Sequence, residues 1–237
     1  MKATDDLIEG YRRFRKGAYA DQRARFDSLS TEGQHPRTMV IACSDSRVDP
    51  TIVFDAGPGE LFVVRNIANL VPPFEIGGGR HGVSAALEFA VTQIEVSAIV
   101  VMGHGQCGGV NAALTRKFDG ARPGDGGFIA HWIDLLDDAR DNVLQHGHSP
   151  DSKDAERILE HETVRISLAN LRTFPCIAER EKQGRLWVYG ASVAIRSATI
   201  QPSLAPTSTI RRFGYAFFSS STLRMSRARS TWTGSGC

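Results

Sequence analysis

Two short stretches concentrate the chemistry of this chain. Cys43-Ser44-Asp45-Ser46-Arg47 sets a thiol, a carboxylate and a guanidinium at alternate positions, and His104-Gly105-Gln106-Cys107 sets an imidazole three residues before a second thiol. Cys43, His104 and Cys107 form a Cys₂His set. Zinc accepts this mix of thiolates and imidazole, and three protein ligands leave a fourth position open for catalysis. Gly105, Gly108 and Gly109 let the backbone come close to an ion. Cys107 is expected near a helix N-terminus, where the dipole favours a thiolate. Asp45 and Arg47, two apart in extended chain, would point the same way. They could be a structural ion pair, or a gate in which the Arg fork holds a carboxylate away from the open position. A single cysteine ending an apolar strand is usually a small buried hydrophobe. The conjunction of three ligand types at two strand ends is what argues for a metal. Cys176, in an apolar helical setting, and Cys237, in the tail, are assigned no ligand role.

The elements that must bring these stretches together are legible as apolar runs. Thr38–Cys43, Leu61–Arg65, Ala98–Met102 and Leu186–Val193 read as strands. Ala98–Met102 is apolar throughout, as in a parallel strand covered on both faces. Val83, Ala86, Leu87, Ala90 and Ile94 recur with helical period on one face. Helices are also expected over Asp6–Ser28, from Gly109, over Phe128–His146 and over Asp154–Gln183, with a loop at 117–127. Strands alternating with helices in this way predict an α/β fold with a mostly parallel central sheet flanked by helices. Both reactive stretches follow strands, and in open α/β sheets sites form beyond the carboxyl ends of strands. They can therefore converge although far apart in sequence.

Composition bounds the rest. The 237 residues are 41% hydrophobic and 23% charged, with a formal net charge of +2, as for an ordinary soluble domain. No apolar run approaches the roughly 20 residues of a membrane helix, and no secretory signal pattern precedes the first helix. A cytoplasmic location with reduced cysteines is expected, with no membrane or nucleic-acid partner. The charge is uneven. From Gly190 onward there are six Arg (196, 211, 212, 224, 227, 229) and no Asp, Glu, Lys or His. Three regions follow: an N-terminal helical arm over 1–36, a zinc-binding α/β domain over 37–194, and a Ser/Thr/Arg-rich tail over 195–237 expected to be loosely ordered.

The stretches CSDSRVDP, PGELFVVRNIANLVPP, GVSAALEFAV, GHGQCGGV and ISLANLRTFP, in this order and spacing, resemble the β-class carbonic anhydrases. The resemblance implies a zinc enzyme that reversibly hydrates CO₂ to bicarbonate and a proton. It also implies a homodimer or higher homo-oligomer, with the N-terminal helices packing on the partner. By position it assigns Cys43, His104 and Cys107 to zinc, and Asp45 and Arg47 to the dyad that controls the fourth ligand. Asp45 would itself be that ligand in a closed state. Gln34, Phe62, Ile67 and Phe89 would line the CO₂ pocket, and the Gly108 amide would meet a bicarbonate oxygen. A regulatory bicarbonate pocket found in some relatives uses a Trp where this chain has Val40. After Ala191 the resemblance stops where an acidic, aromatic edge strand is expected, as a change of reading frame would produce. Two other readings stand beside the anhydrase: a hydrolase of carbon disulfide or carbonyl sulfide on the same scaffold, and a non-catalytic zinc- or bicarbonate-binding protein disabled by its altered C-terminus.

Overall fold

The computed structural model describes residues 2–77 and 81–204. The chain opens with three helices, α1 (Lys2–Lys16), α2 (Ala18–Asp21) and α3 (Arg23–Glu32). Tyr11, Phe14, Tyr19 and Phe26 gather into an aromatic cluster with ring centroids 5.0–6.5 Å apart. This arm is tied to the body at one place. Arg25 donates to the Pro58 carbonyl and pairs with Glu60, and Leu29 packs on Gly59. Leu7, Ile8, Tyr11 and Phe14 remain exposed.

Strands β1 (Thr38–Cys43), β2 (Leu61–Asn66), β3 (Ala98–His104), β4 (Trp187–Ala194) and β5 (Thr199–Leu204) form one sheet in the order β2-β1-β3-β4-β5. The first four are parallel, and β5 runs antiparallel to β4. The strand order reverses at the β1/β3 boundary, where doubly wound sheets open a crevice. The β1–β3 ladder runs from Thr38 against Ala98 to Ala42 against Met102. Cys43 and His104 therefore emerge at that crevice on neighbouring strands.

Between the strands lie α4 (Pro50–Val53), α5 (Gly82–Glu88), α6 (Gly108–Leu114), α7 (Gly127–Ile133), α8 (Asp137–Gln145), α9 (Lys153–Leu171) and α10 (Pro175–Lys182). Strand periodicity splits β1 between two cores. Met39 and Ile41 join Leu87, Val91, Ile99, Val101, Val164, Leu168 and Leu171, whereas Val40 and Ala42 join Met102 and Val193. A third cluster, including Leu70, Val110, Leu114, Leu136 and Leu159, packs directly around Cys43 and Cys107. The apolar floor of the reactive site is thus built chiefly from α6, with α9 and the turn after β2.

Several boundaries differ from expectation. The helical run over 154–183 breaks at Pro175, which takes the first position of α10, where its missing N–H costs nothing. The stretch from Phe128 divides into α7, a 3₁₀ turn over Asp134–Leu136, and α8. The apolar face through Ile94 is α5 followed by a π-helical turn over Phe89–Gln93. The tail expected from residue 195 begins with a strand. β5 extends the sheet, and its Ile200 packs on the Val40, Ala42, Met102 and Val193 cluster. Pro202 is tolerated there because an edge strand needs donors on one side only. The remainder of that tail, with Cys237, lies outside the described residues, as do Gly78 and Gly79 of the triglycine break.

Candidate metal centre

Cys43 ends β1 and is 5% exposed; His104 ends β3 and is 1% exposed. Cys107 caps the N-terminus of α6 and is also 1% exposed. One ligand atom from each lies within 4.8 Å of the others, and the two Sγ atoms are 3.8 Å apart. The turn between His104 and Cys107 is tight. Gln106 takes φ +56°, which lets two residues suffice to bring the ligands together. The expected conjunction of the three residues is what the fold delivers.

The imidazole is pre-set. His104 Nδ1 lies 2.9 Å from the Gly105 carbonyl, which can only accept, so Nδ1 carries the proton. Nε2 is then a lone pair facing the cysteines. It is buried with no hydrogen-bond partner. Leaving such an acceptor unsatisfied costs about 1–3 kcal/mol, and a cation at this point would satisfy it. Two thiols and an orphaned imidazole nitrogen fit a soft or borderline divalent ion.

The two thiols are shifted in opposite directions. The Cys43 thiol is drawn down, first by the hydrogen bond from Cys107, against burial, and with help from His104 and from the Asp45 and Ala68 amides. The Cys107 thiol is pushed up, first by its bond to the Cys43 sulfur and then by burial.

Asp45 and Arg47 are adjacent for a different reason from the one expected. The chain is not extended there. It turns as a 3₁₀ segment over Ser46–Val48, with Asp45 as its N-cap. Asp45 Oδ1 accepts from both the Arg47 amide and Nε at 2.9 Å, and Oδ2 accepts from Arg47 Nη2 at 2.6 Å. Arg47 also donates to the Gln106 carbonyl at 3.0 Å, tying the two reactive stretches together. This fork holds the Asp45 carboxyl well below the usual carboxylate range. Its Oδ2 lies 4.0 Å from His104 Nε2, on the rim of the ligand group.

Three supports escaped sequence reasoning. Arg65 on β2 donates to the Cys43 and Asp45 carbonyls at 3.0 and 2.6 Å while pairing with Asp49 at 2.6 Å. Asn66 clamps both backbone groups of Leu70, closing a turn in which Ala68 and Asn69 take φ +61° and +49°. Glu160 of α9, 7% exposed, accepts from the Cys107 amide at 3.1 Å. The available signal was polarity out of place: an Arg inside an apolar strand, and a Glu in register with the core face of α9.

The expected pocket residues divide. Gly108 is exposed beside Cys107. Ile67 follows β2, and a methyl group added at Gly109 would lie 2.6 Å from its Cγ2. Phe62 and Phe89 stack on each other with centroids 6.1 Å apart, at the level of Met39 on β1. That level is four residues from Cys43, about 13 Å along a strand. Gln34 lies in the exposed connector before β1. Within one chain, Gln34, Phe62 and Phe89 are therefore not part of the ligand group.

Fold and site together define an α/β protein whose buried Cys₂His group sits at the switch point of a parallel sheet. Residues 38–200 match the family model described as carbonic anhydrase. A carbonic anhydrase of Pseudomonas aeruginosa is 38% identical over 195 residues, covering 82% of this chain and 85% of that protein. The β-carbonic anhydrase CcaA has 33% identity and a TM-score of 0.77, covering 84% of this chain and 94% of its own. One of two tetrameric β-carbonic anhydrases of Sordaria macrospora has 28% identity and a TM-score of 0.74, covering 85% and 97%. The chain belongs to the carbonic anhydrase family, in its β class.

Proposed function

We propose that this protein is a zinc-dependent carbonic anhydrase, interconverting CO₂ and water with bicarbonate and a proton. The observation that carries the reading is the orphaned, buried His104 Nε2 facing two thiols 3.8 Å apart, with a carboxylate at its rim that Arg47 keeps engaged. Cys43, His104 and Cys107 would hold the ion. When bound, zinc supplies Lewis acidity that lowers the pKa of water. Asp45 stays ionised across the neutral range and is therefore an acceptor only. Held by Arg47, it would accept a hydrogen bond from the attacking water and so orient it. Released from Arg47, it would be close enough to the ligand group to serve as a further ligand. The Gly108 amide is the donor we assign to bicarbonate, and Ile67 supplies apolar wall for CO₂.

The strand β5 bears on whether an altered C-terminus disables the enzyme. It pairs with β4, whose Val193 stands between His104 and Ile200 in the ladder and accepts from the Gly105 amide at 3.0 Å. The divergent segment thus completes the sheet beside His104 with its strand pairing intact, which favours an active enzyme.

We further propose a homodimer as the working unit. Exposed Leu7, Ile8, Tyr11 and Phe14 on the arm, and the half-exposed Phe89 over Phe62, are the apolar surfaces that support it. In such a dimer Gln34, Phe62 and Phe89 would complete the site of the partner. Among the described residues no helix is long and apolar enough to cross a membrane. The unpaired thiols of Cys43, Cys107 and Cys176 favour a reducing compartment such as the cytoplasm.

Stopped-flow CO₂ hydration on protein of measured zinc content tests the reading. Turnover proportional to bound zinc is expected. Cys43→Ser should lose the metal, while Arg47→Ala should keep it and lose turnover. Bound zinc without hydration in the unmutated protein would refute the proposed activity.

A further inference from the structure

Helix α9 carries a polar stripe on the face it turns to the core. Glu160, Thr163, Ser167 and Asn170 recur at helical spacing, and each one grips backbone or side chain in the loops that frame the site. Thr163 Oγ1 accepts from Asn69 Nδ2 at 3.2 Å and donates to the Glu160 carbonyl at 2.8 Å. Ser167 donates to the Asn69 carbonyl at 3.1 Å and accepts from the Val71 amide at 3.2 Å. Asn170 donates to the Val71 carbonyl at 2.8 Å. Three of the four therefore hold the left-handed turn at Asn69 and the residues after it. Glu160 alone reaches the other loop.

Burying a carboxylate without a cationic partner is expensive. No Lys or Arg side chain is among the groups that act on Glu160. A Gln or Leu of similar size would avoid the cost, so its placement needs a reason. Its Oε1 accepts the Cys107 N–H at 3.1 Å. That amide ends the turn that separates His104 from Cys107. Helix α9 packs directly on β3, so closely that a methyl group at Gly103 would lie 2.8 Å from Val164 Cγ2. Glu160 thus refers the turn to a helix seated against the strand that carries His104.

We propose that Glu160 is a positioning residue for the metal centre: as an acceptor for the Cys107 amide it fixes the turn that carries two of the three ligands. This rests on the metal-binding part of the function proposed above, though not on CO₂ being the substrate. Groups that orient metal ligands from behind typically contribute 10–100-fold to affinity.

The test compares Glu160→Gln, which keeps an acceptor oxygen, with Glu160→Leu, which removes it. Zinc affinity is read by competition with a chromophoric chelator, alongside the thermal midpoint of the chelator-treated protein. The expected result is an affinity within about threefold of the unmutated protein for the Gln variant, and a loss of about 10–100-fold for the Leu variant. Equal affinity for all three proteins would overturn the proposal. So would equal losses in both variants, since the charge rather than the acceptor would then matter. Should the Leu variant not fold, hydrogen exchange in the unmutated protein decides. The Cys107 amide should be protected well beyond the neighbouring Gly108 amide, and equal exchange overturns the assignment. Zinc affinity that depends on Glu160 in a protein without CO₂ hydration would sink the proposed activity and leave the positioning role standing. A chain with no zinc affinity would sink both.

Discussion

Gly108 and Gly109 open the same helix, side by side, yet substituting each by alanine should shift stability in opposite directions. Neither has a positive φ, so alanine fits the backbone at both. Removing glycine's freedom in the unfolded chain then stabilises by about 0.4–1 kcal/mol. At Gly108 nothing lies within 4 Å of the added methyl, and this gain should appear unopposed. At Gly109 the methyl would sit 2.6 Å from Ile67 Cγ2, 3.2 Å from Ala68 Cβ and 3.4 Å from the Ala68 nitrogen. Carbon atoms pack at about 3.5–4.0 Å, so close to 1 Å must be absorbed on the Ile67 side. The wall cannot yield freely. Ile67 is followed by two residues at positive φ, and its carbonyl is held by Trp132 Nε1 at 2.9 Å. Overpacking of this kind costs about 1–3 kcal/mol. The net expectation is that Gly109→Ala destabilises by about 1–2 kcal/mol, while Gly108→Ala is neutral or stabilising by up to about 1 kcal/mol. Urea denaturation of zinc-depleted protein measures both. Zinc affinity should fall in Gly109→Ala as well, because Gly109 lies in the first turn of the helix that Cys107 caps. A stabilised Gly109→Ala with unchanged zinc affinity would show that the Ile67 turn is soft, and the argument for a rigid wall would fail.

Two further outcomes follow from the same structure. The Asp45 carboxyl is depressed by Arg47, so the pair's contribution is complete above the ordinary aspartate pKa of about 3.9 and is lost as pH falls through the lower folded value. The stability gap between the unmutated protein and Arg47→Gln, read as urea midpoints, should stay constant from pH 7 to about 4.5 and close below about 3.5; a gap that closes between pH 7 and 5 contradicts the fork. Ile200→Ala on β5 should cost about 1–2 kcal/mol, below the 2–5 of a fully buried site, because Ile200 packs against Val193 and Met102 while half-buried; no loss of thermal stability would mean that β5 does not support the sheet.

The sequence shows some of this plainly and conceals the rest for identifiable reasons. The parallel strands are apolar on both faces, and periodicity finds them because burial on both sides leaves little room for polar residues. β5 escapes the same reasoning. Of its six residues, TIQPSL, only two are apolar, and an edge strand meets a neighbour on one side only. Its pairing is decided by β4, which no local pattern in β5 records. Asp45 and Arg47 were legible as partners, but the turn that faces them toward each other depends on Asp45 capping its own 3₁₀ segment, a local hydrogen bond that competes with extended chain.

The site itself divides along the same line. The ligands are visible because their chemistry is rare and their spacing short. The groups that hold them are visible only as polar residues in places that should be apolar. Arg65 and Glu160 enter from opposite sides of the crevice, β2 and α9, and neither belongs to the two reactive stretches. Arg65 fixes the carbonyls behind Cys43 and Asp45, and Glu160 fixes the amide of Cys107. A carbonyl needs a donor and an amide needs an acceptor, so the charges of these two residues follow from which end of the peptide each must hold. Exchanging them would leave both loops unpaired. The strand order places β1 beside β3, and with it Cys43 beside His104. What remained for evolution to solve was the orientation of three peptide groups, and a partly buried Arg and a buried Glu accomplish it.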